Sequence, residues 1–419
     1  MQPFASYILR KYYEATGWNE DNLYSNLTRS SNAILDFQVP RGLHFHVSKS
    51  PNNKFKTTYS LNALPSLNGS LGYIFTSCDL QLNSSTDVRI RDVVQHFKVY
   101  DQPRAPEARP EVWLGGERVD RRYYLMYGRL YVPTGRLDAL YSTRLGSSWQ
   151  IVAAAISEQR GQYAAQRAKN SRRPETADHS NILLNLQHDR GKWCSEYTWS
   201  AADGLWGARA LYNFGKTVEE EGHDKIRRRE KRVDEEDAME GGLKGRISAG
   251  AEIYFSAREK SGGVSTAVRF TTVPDATPPS SQLHDAVVPS QPPTTITAVL
   301  NPILGHISAA YASRVSQDLA LCSRFDFNVY SYESEWTMGA EWWVKRSSQS
   351  ADPVPQEVLG PADEETQSVL KARISTNYDV SLFWEGRLSN VLLGIGVVSD
   401  LGNRSRPVRA LGLEVAYFS

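Results

Sequence analysis

The chain has 419 residues, of which 48 are basic and 47 acidic, and its formal net charge is +1. This balance gives no overall basic surface for a nucleic acid and no acidic tail, so we expect charge effects only locally and no nucleic-acid partner. The three cysteines, Cys78, Cys194 and Cys322, lie too far apart for a metal-binding motif or a disulfide framework. The length fits either two soluble domains or one large barrel.

Membrane helices and a secretory signal are both absent from the hydropathy pattern. The longest apolar run, near residues 391–398, is strand-sized and falls short of the roughly 18 residues that a membrane helix needs. The N-terminus lacks a basic region followed by an apolar core. Membrane strands are compatible with the mean hydropathy of −0.47, because half of each such strand faces a polar lumen.

The first predicted element is a short amphipathic helix over residues 4–15. Phe4, Ile8 and Tyr12 recur at every fourth position in a segment free of proline. Such a helix could plug a lumen or lie on a surface. Residues 19–31 are predicted to be a polar linker, so residues 1–31 form one unit and residues 32–419 another.

From Gly42 onward apolar and polar residues alternate with a period of two, which predicts strands. Turn residues such as Asn68-Gly69 separate the alternating segments, as hairpins require. Residues 88–120 are less regular, and their prolines predict a loop. The predicted strands of this part lie near residues 43–48, 57–63, 70–76, 123–131, 137–145, 149–156, 182–187, 193–200, 205–214, 246–258, 264–272, 294–300, 304–313, 319–330 and 334–345.

The C-terminal stretch carries the same pattern. Residues 373–385 are predicted to form one strand with an oily face, because Arg373, Asp379 and Glu385 all fall on odd positions. We predict that these three charges face a lumen, since a one-residue slip would turn them toward lipid. A turn beginning at Gly386 and strands at residues 391–397 and 411–417 are predicted to follow.

The pattern gives about 17–20 strands, many near the roughly 9–11 residues that a tilted membrane strand requires. The absence of alternating helical segments favours an all-β, antiparallel meander over βαβ units. Long insertions near residues 158–180, 216–244, 273–293 and 347–369 are charged or rich in proline and serine, so we predict solvated loops. The arginine run at 227–229 belongs to one of them, and nearby acids nearly cancel its charge.

Few residues suggest chemistry. His44 and His46 share a strand face and could supply half of a metal site, but a polar interior position is favoured by about nine to one. We find no nucleophile elbow, zinc-protease helix or kinase signature, and we expect no enzymatic activity and no cofactor. Tyr73 and Phe75 are predicted to face outward. Contact with lipid is the favoured interpretation, and a docking face for a partner is the alternative.

The sequence resembles the fungal mitochondrial distribution and morphology protein 10 family from about residue 32 to the end. The similarity recurs along the chain rather than in one motif. It is carried by YLMYGRLYVPTG at 124–135, LDALY at 137–141, WCSEY at 193–197, LYNFG at 211–215, EKSGGVST at 259–266, LNP at 300–302, CSRFDFNVYSYES at 322–334, WEGR at 384–387 and LGLE at 411–414.

The resemblance implies a transmembrane barrel of the mitochondrial porin superfamily in the mitochondrial outer membrane. It implies about nineteen strands, parallel closure of the first and last strands, and an N-terminal helix in the lumen. It also implies two sets of partners besides membrane phospholipids. One is the lipid-transfer and ER-anchored subunits of the ER–mitochondria encounter structure. The other is the sorting and assembly machinery, where family members promote assembly of the TOM complex.

Barrels of this family carry a sorting signal in the closing strand, of the form polar-x-Gly-x-x-apolar-x-apolar. Gly412, Val415 and Tyr417 match it, whereas Ala410 occupies the polar position and Arg409 lies one residue too early. We therefore expect a non-enzymatic outer-membrane barrel that acts as a tether and assembly factor. A porin-like channel for metabolites or polypeptides is the second hypothesis, and a soluble two-domain β protein is the third.

Overall fold

A computed structural model describes residues 4–100, 104–106, 112–114, 117–119, 123–157, 180–215, 245–272, 292–345, 366–402 and 407–419. Two 3₁₀ turns, Glu20–Asn22 and Tyr24–Asn26, lie between the first two helices. The helices are α1 Phe4–Thr16, α2 Arg29–Leu35 and α3 Ile90–Val93. The strands are β1 Gly42–Lys49, β2 Phe55–Leu64, β3 Asn68–Thr76, β4 Val112–Leu114, β5 Glu117–Val119, β6 Tyr124–Val132, β7 Leu137–Arg144, β8 Trp149–Ser157, β9 Asn181–Asp189, β10 Trp193–Ser200, β11 Leu205–Asn213, β12 Gly245–Ser256, β13 Ser261–Thr272, β14 Thr294–Asn301, β15 His306–Arg314, β16 Leu319–Asn328, β17 Ser334–Lys345, β18 Thr366–Ser375, β19 Asp379–Leu388, β20 Val391–Asp400 and β21 Val408–Phe418.

Nineteen strands form one closed sheet, and β4 and β5 form a separate small hairpin. Each barrel strand pairs antiparallel with the next along the chain, with β3 pairing directly with β6. The exception is the seam, where β1 and β21 run parallel from the pair Gly42 and Gly412 to the pair Ser48 and Phe418. Closure leaves no unpaired edge among these nineteen described strands. The prediction of an all-β barrel with a short N-terminal helix is confirmed.

The two ends of the barrel differ, and we name them by β1. The lower rim is the end at which β1 begins, at Gly42, and the upper rim is the end at which it finishes, at Lys49. Because β21 runs parallel to β1, the C-terminus also lies at the upper rim. The ring of Phe4 lies 5.3 Å from that of Phe418, so the start of α1 lies at the same rim.

The wall has an apolar outer face and a polar inner face. Along β17, Trp336 and Trp342 are 48% and 55% exposed, whereas Thr337 and Glu341 between them are 3% and 1% exposed. Burial thus falls on the polar positions, the reverse of a soluble protein. This inversion is typical of a barrel wall that separates lipid from a polar lumen. Among the described residues, no helix is both long enough and apolar enough to cross a bilayer.

The predicted strand over residues 373–385 is wrong, because the structure divides it into two. β18 ends at Ser375, the chain turns at Tyr378 with a φ of 64°, and β19 runs back from Asp379. In this hairpin Ile374 pairs with Val380, so even-numbered residues of β18 lie opposite even-numbered residues of β19. The alternation of apolar and polar residues therefore continues unchanged through the turn. The turn predicted at Gly386 is also wrong, since Gly386 lies within β19 and the chain turns at Ser389.

Two further predictions require correction or qualification. The polar linker predicted at residues 19–31 instead contains two 3₁₀ turns and part of α2, with Leu27 and Ser30 buried. The loops predicted near residues 158–180, 216–244, 273–293 and 347–369, including the arginine run at 227–229, lie largely outside the described residues. The last of these is shorter than predicted, because β18 already begins at Thr366.

Candidate functional site: the occupied lumen

Three chain segments, which together we call the plug, lie inside the lumen. The first is α1, the second is residues 19–35 with α2, and the third is residues 77–100, which we call the strap. The strap follows β3 at the upper rim and folds into the lumen. Its side chains Leu80, Val88 and Phe97 are all buried. A buried segment that lacks strand pairing must satisfy its backbone polar groups through other contacts. Those contacts define the site.

The helix α1 packs one face against the inner wall. Its buried residues are Tyr7, Ile8, Tyr12, Tyr13 and Thr16. They recur at helical spacing, which is why the sequence forms an amphipathic helix here. The helix ends at Gly17, whose φ of 65° is a conformation that glycine adopts without strain.

Aromatic contacts fix α1 beside the seam and beside β3 and β6. Tyr12 and Trp18 cluster with Ile74 of β3 and Leu125 of β6. Tyr7 lies 6.0 Å from Phe418 of the closing strand. Each such aromatic pair contributes about 0.5–1.5 kcal/mol beyond the area that it buries. The N-terminal helix therefore connects the first part of the barrel wall to its last strand.

Polar contacts anchor the second segment. The amide of Asn22 donates to Asp189 at 2.7 Å and to the carbonyl of Gly191 at 2.9 Å. Asn213 in turn donates to the side-chain oxygen of Asn22 at 2.7 Å. Farther along, the Tyr24 hydroxyl lies 2.8 Å from the Ser265 hydroxyl. Buried hydrogen bonds of this kind define one position for the segment.

A buried ion pair joins the strap, α2 and the wall. Lys371 of β18 lies 3.9 Å from Glu341 of β17, and their side chains are 2% and 1% exposed. Lys371 donates to the carbonyls of Ala33 in α2 and Gln95 in the strap. Glu341 accepts the backbone N–H of Phe97 at 3.1 Å. One pair of charges thus fixes two plug segments.

Further contacts hold the strap against the other two segments. The Tyr100 hydroxyl donates to the carbonyl of Asn26 at 2.6 Å, and the Ser30 hydroxyl donates to the carbonyl of Lys98 at 2.6 Å. Burial raises the pKa of Tyr100 to about 12, so the phenol remains a donor at neutral pH. Burial also lowers the pKa of His96 to about 4.

The plug does not fill the lumen completely. Two cavities of about 360 Å³ each lie among α1, α2 and the strap. They share Arg10, Glu20 and Arg29 in their linings. Arg10 donates to the carbonyl of Asp92, and Arg29 lies 2.6 Å from Glu20. These charged side chains form a common wall between the cavities.

The structure separates the three charges predicted to face the lumen. Arg373 points inward, where it donates to the carbonyl of Leu35 at 3.1 Å and lies over the Phe37 ring. Glu385 is 2% exposed and lies on the same face of β19 toward the upper rim. Asp379 lies at the lower rim, 3.5 Å from Arg409. The three charges line one side of the interior but form no single cluster.

The residues that match the sorting signal divide between the two faces of β21. Gly412 is on the inner face, where an added Cβ would overlap the carbonyl oxygen of Pro40. Tyr417 is 40% exposed and lies on the outer face with Val415. Gly412 therefore permits the chain that leaves the lumen to pass close to the closing strand.

Tyr73 and Phe75 lie on the outer face of β3, 47% and 37% exposed. The Tyr73 ring stacks on Phe55 of β2 at 5.9 Å. His44 and His46 lie on the inner face of β1, where His44 contacts Asn62 at 2.7 Å and His46 lies 3.4 Å from Glu414. Within the described ranges, no group of three or more metal-ligating side chains occurs.

Sequence reasoning missed the strap and the Lys371–Glu341 pair. Both charged residues occupy inward positions of their strands, and their opposite charges could have indicated an ion pair. Predicting that β17 pairs with β18 would have placed Glu341 opposite Lys371. The strap gave no periodic signal, because its irregular backbone is held by long-range contacts to the wall.

The chain matches the family described as "Mitochondrial distribution and morphology protein 10" over residues 1–363 and 359–419. Curated proteins of that name are similar over nearly their whole length. The protein from Laccaria bicolor is 62% identical with both chains fully covered, and that from Cryptococcus neoformans var. neoformans is 40% identical with 99% of each covered. The protein from Sclerotinia sclerotiorum is 36% identical with full coverage of both. The chain therefore belongs to the mitochondrial distribution and morphology protein 10 family.

Proposed function

We propose that the chain is a non-enzymatic scaffold in the mitochondrial outer membrane. In this role it docks lipid-transfer and ER-anchored subunits of the ER–mitochondria encounter structure, and so serves tethering, phospholipid exchange, mitochondrial morphology and inheritance. It also associates with the sorting and assembly machinery to promote assembly of the TOM complex and of β-barrels. Family membership over the whole chain supports the connection with mitochondrial distribution and morphology.

The occupied lumen is the observation that favours a scaffold. A wide pore needs an unobstructed passage, whereas here three segments of the chain lie across the interior. They are tied to the wall by the Lys371–Glu341 pair and by Asn22 on Asp189. A filled barrel presents rims and outer faces of fixed geometry, which is what docking partners require.

Affinity purification tests the proposal. A tagged chain is isolated from gently solubilised mitochondria, and the proteins bound to it are identified by mass spectrometry. We expect lipid-transfer tether subunits together with barrel-assembly subunits. Recovery of an intact barrel without either set of partners would overturn the scaffold role.

Tyr73 and Phe75 are the outer-wall residues that we propose as partner-facing. Their double alanine variant should lose one set of co-purified partners and keep the other, because a docking face on one side of a barrel is local. Trp336→Ala is the matched control, since Trp336 is an exposed aromatic residue elsewhere on the outer wall. Equal recovery of every partner by both variants would assign Tyr73 and Phe75 to lipid contact.

A porin-like channel for metabolites or polypeptides is the second candidate. The two cavities of about 360 Å³ around Arg10 and Arg29 favour it, because they leave part of the lumen unfilled. Planar-bilayer recording of the purified chain separates the two functions. A scaffold with this plug should show little conductance, and large, selective conductance from the intact chain would favour the channel.

A further inference from the structure

A separate cavity of about 460 Å³ lies at the lower rim beside the seam. Its lining includes Arg41, Arg373, Arg409 and Asp379. Val39 and Val398 line it as well, so charged and apolar surfaces meet in one space. The cavity is distinct from the two cavities within the plug, with which it shares none of these residues.

The three arginines differ in how firmly they are held. Arg373 is fixed, because it donates to the carbonyl of Leu35 at 3.1 Å and to the Ser381 hydroxyl at 3.3 Å. Arg409 is 59% exposed and makes loose ion pairs, at 3.5 Å with Asp379 and at 3.2 Å with Asp400. Exposed pairs of this kind are worth at most about 1 kcal/mol. Arg409 can therefore exchange a carboxylate for another anion at small cost.

Arg41 is exposed, and its guanidinium has no ion pair or hydrogen bond within the described ranges of the chain. Three guanidinium groups thus stand against two carboxylates, Asp379 and Asp400, which leaves a net positive charge at the cavity. The local charge differs from the near neutrality of the whole chain.

We propose that this cavity binds a phosphate group. Planar guanidinium forks match tetrahedral phosphate oxygens and form strong charge-assisted hydrogen bonds with them. In this arrangement Arg373 is the fixed donor, and Arg41 and Arg409 close on the anion. The apolar side chains of Val39 and Val398 suit the glycerol and first methylenes of an anionic phospholipid, and free phosphate presents the same oxygens without them.

A phosphate bound in this cavity would connect separate parts of the barrel. Gln38 and Arg41 belong to the segment that leads from α2 in the lumen to β1, whereas Asp379 belongs to the β18–β19 hairpin and Arg409 to the closing strand. A bound phosphate would therefore join the plug exit to both sides of the seam. This inference stands apart from the scaffold role, because phosphate binding requires no protein partner.

Native mass spectrometry of the purified full chain in detergent tests the site, with dioleoyl phosphatidic acid and dioleoyl phosphatidylcholine as probes. The wild-type chain should retain phosphatidic acid preferentially. Arg41→Gln should reduce this retention about tenfold, the value of one charge-assisted hydrogen-bond donor. Arg41→Lys, which keeps the charge, should retain an intermediate amount. Because the Arg41 guanidinium has no ion pair or hydrogen bond among the described residues, these variants should fold normally. The heat-induced shift in electrophoretic mobility of the barrel checks this.

Arg136→Gln is the matched control, because Arg136 is an arginine at the same rim whose side chain is 41% exposed and paired with Asp138 at 2.8 Å. It should retain phosphatidic acid as the wild type does. Inorganic phosphate added in excess distinguishes the sources. If phosphate displaces the lipid, the site recognises only the phosphate group. If the lipid persists, the site also recognises the rest of the lipid headgroup region. Equal retention of phosphatidic acid by wild type and Arg41→Gln would overturn the proposal.

Discussion

At the scale of single residues, the plug depends on a few charged side chains that the barrel removes from solvent. Lys371 and Glu341 satisfy each other and also bind the backbone of α2 and of the strap. Burying two charges gains little net stability, whereas leaving one of them alone is costly. Such a pair therefore specifies where the plug segments sit more than it strengthens the fold.

Lys371→Met should release the strap, because it leaves Glu341 buried without its cation at a cost of about 3–5 kcal/mol. The measurement is the rate of tryptic cleavage after Arg91 and Lys98 in the folded chain, which follows opening of the strap. We expect an increase of at least a hundredfold, and a smaller one in the double variant with Glu341→Gln. Wild-type resistance of Lys371→Met would show that the pair does not hold the strap.

His96 should make strap docking sensitive to acid. Burial lowers its pKa to about 4 from 6.5, and Arg10, Lys371 and Arg91 add to the effect. Between these pH values the undocked state binds the proton and the docked state does not, so docking stability rises with pH through this window and is lost as pH falls. At pH 5 the loss should be at most about 2 kcal/mol.

Hydrogen exchange of the strap, corrected for its intrinsic pH dependence, measures this effect at pH 7 and pH 5. Protection should fall at pH 5 in the wild type. His96→Gln keeps a donor for the carbonyl of Val94 but does not titrate, so its protection should be the same at both pH values. A pH-dependent loss of equal size in that variant would assign the effect to another group.

At the scale of elements, a glycine in the closing strand lets the segment before β1 pack directly against the inner wall. Gly412 lies against the carbonyl of Pro40, and Gly396 on the neighbouring strand lies against Val39, with 2.6 Å from an added Cβ to that side chain. The segment before β1 therefore runs along the inner face of the last two strands. A side chain at either position would displace it.

Gly412→Asp should block assembly into the membrane, because it adds both bulk against Pro40 and a charge on the closing strand. Tyr417→Asp should do so by placing a charge on the outer face, which lipid disfavours. Gly128→Ala is the matched control, since a Cβ there meets nothing within 4 Å. Resistance to alkaline carbonate extraction measures insertion, and normal resistance of both aspartate variants would contradict this. Release of the wild type would favour the soluble alternative.

The same elements show how far the sequence could be interpreted. Alternation located nearly every barrel strand, because a wall between lipid and a polar lumen imposes a period of two along its length. It could not locate the turn at Tyr378, because the alternation of apolar and polar residues continues without a break from β18 into β19. It could not find the strap or the contacts of Asn22, because these depend on residues more than a hundred positions away that only the closed barrel brings together.

At the scale of the whole molecule, the barrel is a closed wall around its own N-terminus and one of its loops. The plug lies inside this wall, and the arginine-lined cavity lies at the lower rim. Whether the interior conducts ions therefore depends on the segments inside the barrel and not on the wall strands alone.

Removal of residues 1–18 should increase conductance in a planar bilayer, because it takes α1 out of the lumen and removes Arg10 from the wall between the two cavities. Lys11→Gln is the control, since Lys11 forms an ion pair with Glu14 on its own helix and its loss should not alter the recording. Unchanged conductance after the truncation would mean that residues 19–35 and the strap suffice to close the lumen.

The parallel seam joins the earliest wall strand made by the ribosome to the last one. β1 begins at Gly42 and β21 ends at Phe418, so the wall cannot be sealed until almost the entire chain has been delivered. That final strand also completes the contacts of Gly412 with Pro40 and of Phe418 with Phe4 and Tyr7. The closing strand therefore seals the wall and also contacts the N-terminal segment that lies inside it.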